Sequence, residues 1–195
     1  MSRIGKIERK TNETNVSVRI ELDGAGIYTI KTGVGFLDHM LAQTARHGFI
    51  DAEIACSGDL EVDCHHVVED TGICLGLAFA KALGAKEGIR RYGSATVPMD
   101  EALALCAIDF SGRPYLAFNC AFAPGKLGDM DAEMVEEFFR AFCVSAGANL
   151  HIKSLAGKNG HHMAEAVFKA FGQALEQAVT RDLRILGARS TKGIL

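Results

Sequence analysis

The sequence contains no tryptophan, only three prolines, and no C-x-x-C pair among its six cysteines. With so few prolines and no serine- or charge-rich stretch, nothing marks a linker, so residues 1–195 are expected to form one domain. No apolar run approaches the roughly 18 residues that a membrane span requires, which argues against a membrane partner. The opening MSRIGKIERKTNETN has no apolar signal core. Positive charge is not in excess either. The balance of 21 Lys and Arg against 24 Asp and Glu gives a net charge of -3, leaving no broad basic face for nucleic acid. The cysteines at 56, 64, 74, 106, 120 and 143 therefore read as small hydrophobes of a protein kept in a reducing cytoplasm. What is present is an ordinary globular composition, 48% hydrophobic and 23% charged, in a chain long enough for one good core.

The chain contains a diverged internal repeat. ETNVSVRIELDG from Glu13 and EALALCAIDFSG from Glu101 each run from an acidic residue through an alternating segment to a turn glycine. FLDHMLAQTARHG from Phe36 and MVEEFFRAFCVSAG from Met134 both space their apolar residues as a helix does, and place His39 opposite Glu137. HHVVED from His65 is matched by HHMAEA from His161. Each second copy lies about 90–100 residues downstream, a drift that small loop insertions explain. The halves divide approximately into 1–92 and 93–195.

Each half opens with alternating strands, Val16 to Leu22 and Leu103 to Phe110, followed by a helix. Extended segments come next, Asp51 to Cys56 and Leu60 to Asp63 in one half and Asn149 to Leu155 in the other. A second helix begins at each histidine pair. In the last of these, Met163, Val167, Ala170, Phe171, Ala174, Leu175 and Ala178 form one apolar stripe, and Asn159-Gly160 is a turn signal just before it. The expected fold is a layered α/β (α+β) arrangement, not a doubly wound one. Each half supplies a small mixed sheet and two helices, with the helices packed as a four-helix layer between the sheets.

The histidine pairs carry the chemistry. On a helix, His66 and Glu69 are three apart and His65 and Glu69 four apart, so either histidine can share a cation with the carboxylate. The two histidines diverge by about 100° around the axis, so one chelates with Glu69 while its neighbour reaches a second ion. His161, His162 and Glu165 repeat this spacing, and His39 and Glu137 are natural additional ligands. One such triplet alone is most often a solvated polar patch; its recurrence at equivalent places in a repeat argues for a dinuclear metal site. Imidazole and carboxylate donors without thiolate favour Mn, Fe or Zn, and open coordination positions suit catalysis. Cys64 adjoins the motif but reads as packing.

GVGFLDHMLAQTARHG, DCHHVVEDTG, SGRPYL and AGKNGHHMAEAVFKAF resemble the imidazoleglycerol-phosphate dehydratase family, and the resemblance extends from ERKTNET to STKG. It implies a hydro-lyase of histidine biosynthesis that converts imidazoleglycerol phosphate to imidazole-acetol phosphate, with two Mn2+ per active site stabilising an imidazolate. It further implies one ion on His39, His66, Glu69 and His161 and the other on His65, Glu137, His162 and Glu165. The family commonly has histidine where this chain has Glu137, in VEEFF rather than VEHFF. A homo-oligomeric shell of about twenty-four subunits is implied, with active sites at subunit interfaces. No fused phosphatase domain is expected.

The same resemblance implies catalytic roles for Glu13, His47 and Glu165, with Glu13 doing acid–base work. Gln43 and His47 fall where the family contacts substrate. Arg91, Arg113, Lys169, Ser190, Thr191 and Lys192 match its phosphate-binding positions, and Lys169 also follows Glu165 by four on one helix face. Read alone, Glu13 is a solvated residue at a strand start, and the basic residues are solvated charges. Glu101, the repeat mate of Glu13, has no comparable role in the family. A dinuclear metal-dependent phosphoesterase, with a bridging hydroxide as nucleophile, is the alternative enzyme that the same ligand types allow.

Overall fold

The computed structural model describes residues 2–193; Met1, Ile194 and Leu195 lie outside the description. One order of elements occurs twice: three strands, a helix, a strand and a helix. The first copy comprises β1 (Ile4–Lys10), β2 (Thr14–Glu21), β3 (Tyr28–Lys31), α1 (Gly35–His47), β4 (Asp51–Gly58) and α2 (His65–Leu83). The second comprises β5 (Tyr92–Met99), β6 (Ala102–Asp109), β7 (Tyr115–Asn119), α3 (Met134–Ala146), β10 (Asn149–Ala156) and α4 (Gly160–Val179). A short hairpin, β8 (Lys126–Leu127) and β9 (Met130–Asp131), is inserted before α3.

The sheets have matching orders, β1-β2-β4-β3 and β5-β6-β10-β7. In each, the third strand runs parallel to its helix-linked successor, β3 beside β4 and β7 beside β10, while the other pairings are antiparallel. The central strands β2 and β6 bury every second residue, so each sheet has one dry face. Helices α2 and α4 cover those faces, and the four helices lie between the two sheets as expected.

The helices pair across the halves, α1 on α4 and α2 on α3. Equivalent glycines make both crossings close. A Cβ on Gly172 would sit 2.7 Å from the Thr44 carbonyl oxygen, and one on Gly76 would sit 2.6 Å from that of Phe142. Thr44 Oγ1 also lies 3.3 Å from the Phe168 carbonyl of α4. Gly172→Ala should therefore lower Tm. Overpacking against backbone costs ~1–3 kcal/mol, and the gain in helix propensity offsets only ~1 kcal/mol. A thermal melt at unchanged or higher Tm would show that the crossing yields.

One segment differs from its sequence expectation, and the structure adds edge strands to those expected. Leu60 to Asp63 is a turn, not extended chain. Val62 N–H bonds the Asp59 carbonyl at 2.8 Å, and Asp63 Oδ1 accepts the His65 N–H at 2.7 Å, so local polar groups bend the chain into α2. The edge strands β1 and β5 lie outside the strands expected from the sequence: in β1 the charges of Lys6, Glu8, Arg9 and Lys10 weaken the alternation, as edges commonly do, and in β5 Gly93 and Pro98 interrupt it.

Candidate metal centre and active site

Each candidate ligand stands in the first turn or so of a helix, and the caps set its direction. Asn159 Oδ1 accepts the N–H groups of His161 at 2.9 Å and His162 at 3.4 Å, which starts α4 at the second doublet. At α1 the cap is supplied from the inserted hairpin: Asp129 accepts from Gly35 N at 2.6 Å and Phe36 N at 2.9 Å. Phe36 in turn packs edge-on against the His161 ring, with centroids 5.3 Å apart.

The α1–α4 crossing brings together His39, His161 and Glu165, whose ligand atoms lie within 4.8 Å of one another. His39 Nε2 is 3.4 Å and His161 Nε2 3.2 Å from the same oxygen, Glu165 Oε2. The other carboxylate oxygen is held by Lys169 Nζ at 2.6 Å. Burial raises the Glu165 pKa, but Lys169 and His39 outweigh it and hold the carboxyl below its usual range. Two imidazole nitrogens and an ionised carboxylate, with no thiol among them, fit a divalent cation such as manganese. The sequence expectation divided these three residues between two ions; in the chain they share one cluster.

The first motif does not join that cluster. Because α2 packs on α3 and α4 on α1, the two HHxxE motifs do not face each other within a chain. Among the described residues no other group of three ligands forms. His65, His66 and Glu69 are half-buried at the start of α2. Glu137 Oε2 is paired with Arg140 Nε at 3.3 Å along α3. Glu137 thus directs its charge to a neighbour on its own helix. His66 lies by Glu13 and Asp59, and His162 by Asp100 and Glu101.

Glu13 is exposed at the β1–β2 turn, with Oε1 3.9 Å from His66 Nε2. The turn beneath it is fixed. Thr11 Oγ1 accepts the N–H groups of Glu13 at 3.1 Å and Thr14 at 2.9 Å. The buried Thr14 hydroxyl donates to Asp70, which also pairs with Arg9 Nη1 at 2.5 Å. Since Asp70 directly follows Glu69, this buried knot ties the Glu13 turn to the first turns of α2.

Gln43 and His47 follow His39 at four-residue steps along α1, as Glu165 and Lys169 follow His161 along α4. Burial, then the Lys169 charge, lowers the His47 pKa, so its neutral form prevails at neutral pH. The remaining phosphate candidates meet elsewhere. Arg91, Arg113, Ser190, Thr191 and Lys192, with Tyr92 and Arg189, line an open cavity of about 520 Å3. Arg91 is buried and takes φ 71°, its N–H bonded to the Ala178 carbonyl at 2.9 Å. Its guanidinium is clamped by Asp109 at 2.6 and 2.9 Å and reaches the Arg189 carbonyl at 2.9 Å, which moors the C-terminal segment. Lys169 does not line this cavity. Sequence reasoning missed Arg189 and Asp59. The signal for Arg189 was its place directly before Ser190-Thr191-Lys192, whereas nothing local marked Asp59.

Two sheets enclosing four helices, with two imidazoles and a carboxylate meeting at helix starts from both halves, define a duplicated α/β scaffold. The family model for Imidazoleglycerol-phosphate dehydratase matches residues 32–175. The imidazoleglycerol-phosphate dehydratase of Moorella thermoacetica is 58% identical over 195 residues, covering 100% of both chains. That of Clostridium botulinum (strain Okra) is 58% identical over 192 residues, 98% of each. The solved dehydratase structure from Staphylococcus aureus superposes with a TM-score of 0.83 at 41% identity, covering 92% of this chain and 99% of that one. The Pyrococcus furiosus structure gives 0.84 at 36% identity, covering 97% and 100%. The chain belongs to the imidazoleglycerol-phosphate dehydratase family, whose members are hydro-lyases.

Proposed function

We propose that the protein dehydrates imidazoleglycerol phosphate to imidazole-acetol phosphate in histidine biosynthesis, using two manganese ions per active site. Full-length identity to named dehydratases supports the reaction, and the observation that carries the metal is the His39–His161–Glu165 cluster. His39, His161 and Glu165 would hold metal in one chain, and His65, His66, Glu69, Glu137 and His162 are the further ligands. Because one chain gathers only three of them, the remaining ligands come from a neighbouring subunit of a homo-oligomer. Large apolar side chains left in solvent, among them Ile27, Phe49, Tyr92, Tyr115 and Val144, suit such an assembly. The twenty-four-subunit shell of the family and a cytoplasmic location complete this reading. No helix among the described residues is long and apolar enough to cross a membrane.

The hydrogen to be removed is not α to a carbonyl, so the substrate's imidazole ring must take up the electron pair. Bound divalent cations supply Lewis-acid stabilisation of charge on that ring. The ring expels hydroxide from the carbon bonded to it, which leaves as water with the ring N–H proton. Glu13 then takes the proton from the next carbon, the electron pair returns to the ring, and the ring regains a proton from Glu13. The resulting enol tautomerises to the ketone. His47, neutral at working pH, and Gln43 supply hydrogen bonds to the substrate, and Lys169 holds Glu165 ionised. The phosphate is held at the cavity of Arg91, Arg113 and the Ser190-Thr191-Lys192 segment.

The test is direct: supply purified oligomer and manganese with imidazoleglycerol phosphate and assay the ketone. Release of inorganic phosphate without ketone would replace this reading with the phosphoesterase. Arg113, exposed at the cavity rim, gives a sharper check. Loss of one charge-assisted contact is worth ~1.5–3 kcal/mol, so Arg113→Ala should raise KM about tenfold to a hundredfold with kcat little changed. An unaltered KM would place the phosphate elsewhere.

A further inference from the structure

The repeat makes Glu13 and Glu101 counterparts, yet the fold uses them differently. Glu101 Oε2 accepts from His162 Nδ1 at 2.7 Å. Its other oxygen accepts the backbone N–H groups of Lys158 at 3.2 Å and Asn159 at 2.8 Å. Glu13 makes no such bond; on His66 the Nδ1 position is taken by Asp59, at 3.0 and 3.2 Å to its two oxygens. The second histidine of each doublet therefore has Nδ1 engaged by a carboxylate from outside its helix. Nε2 is left beyond hydrogen-bond reach of its nearest acids, 3.9 Å from Glu13 in one half and 3.7 Å from Asp100 in the other.

We propose that Asp59 and Glu101 are positioning residues that hold His66 and His162 as Nδ1–H tautomers, with the Nε2 lone pair aimed outward for a metal ion. This rests on the manganese-dependent function proposed above. A neutral imidazole has one donor and one acceptor nitrogen, and an ionised carboxylate only accepts. A carboxylate at Nδ1 therefore selects the tautomer whose Nε2 can ligate, fixes the ring's rotation and raises the basicity of the ligating nitrogen.

The two carboxylates are not copies of each other. Asp59 follows the end of β4, whereas Glu101 lies in the β5–β6 turn, at the repeat position of Glu13. Duplication transmitted the histidines but not the carboxylates on them, so the same hydrogen bond was reached by two routes. A shared requirement at the site accounts for that; common descent does not. The division also has a consequence for catalysis. With Asp59 occupying the His66 Nδ1, Glu13 is released from the duty its repeat mate performs and is free for proton transfer.

The experiment compares Asp59→Leu, Asp59→Asn, Glu101→Leu and Glu101→Gln in the assembled protein. Manganese affinity is read by competition with a chelator, and Tm of the metal-free protein is read alongside. Loss of an orienting partner to a ligating histidine should weaken manganese binding about 10–100-fold in the leucine variants. The amide variants, whose side-chain oxygen still accepts from Nδ1–H, should recover part of that loss. Asp59 bonds no backbone group through its side chain, so Asp59→Leu should keep its Tm, whereas Glu101→Leu also loosens the loop before α4. Affinity within about twofold of wild type in both leucine variants would overturn the proposal. So would wild-type protein that binds no manganese. If the variants lose affinity as expected but the wild type makes no ketone, the positioning role stands and the dehydratase reading falls.

Discussion

Glu13→Gln lowers turnover by about a hundredfold to ten-thousandfold while bound manganese and oligomeric state stay at wild-type levels. The amide has nearly the same shape, so the turn that Thr11, Thr14, Asp70 and Arg9 fix beneath it is undisturbed. Glu13 touches the site only at 3.9 Å from His66, too far to bond, so its removal costs no structural contact. The whole effect falls on the proton taken from the substrate's side-chain carbon. Steady-state kinetics with metal analysis checks it, and full turnover in the variant would end the role assigned to this carboxylate.

Glu165→Gln has the opposite signature: metal is lost along with activity. Among the described residues, Glu165 is the one whose oxygen lies within 3.4 Å of both His39 and His161, and its charge is what a cation there would meet. Manganese affinity should fall more than about tenfold, since even partners one shell further out are worth that much. The substitution also leaves Lys169, only 17% exposed, without its counter-charge. Breaking a buried pair in this way costs ~3–5 kcal/mol, so Tm should fall as well. Glu165→Gln/Lys169→Met separates the two effects: it restores Tm without restoring metal. Retention of metal by the single variant would show that the cluster is not a ligand set.

Much of this molecule was legible before any coordinates. Period-two burial in Val16 to Leu22 and Leu103 to Phe110, and the apolar stripe on the last helix, are local consequences of one dry face. They survive folding because each element must bury that face somewhere. The doublets were equally legible, since helical spacing alone lets a histidine and a glutamate share an ion. Leu60 to Asp63 reads as extended because its apolar residues alternate by chance, while hydrogen bonds to the Asp59 carbonyl and the Asp63 carboxylate bend the chain.

The sequence by itself determined the duplication, the element types and the chemical nature of the donors, because each of these follows from residue identity at short spacing. Only the tertiary structure decided which donors meet. Glycine-mediated crossings placed α1 on α4, so His39 found Glu165 across the halves while Glu137 turned to Arg140. It also decided that Asp59, and not Glu13, holds the ring of His66. Contacts between residues distant in the chain depend on how two packed surfaces fit, and no periodicity along one chain encodes that fit.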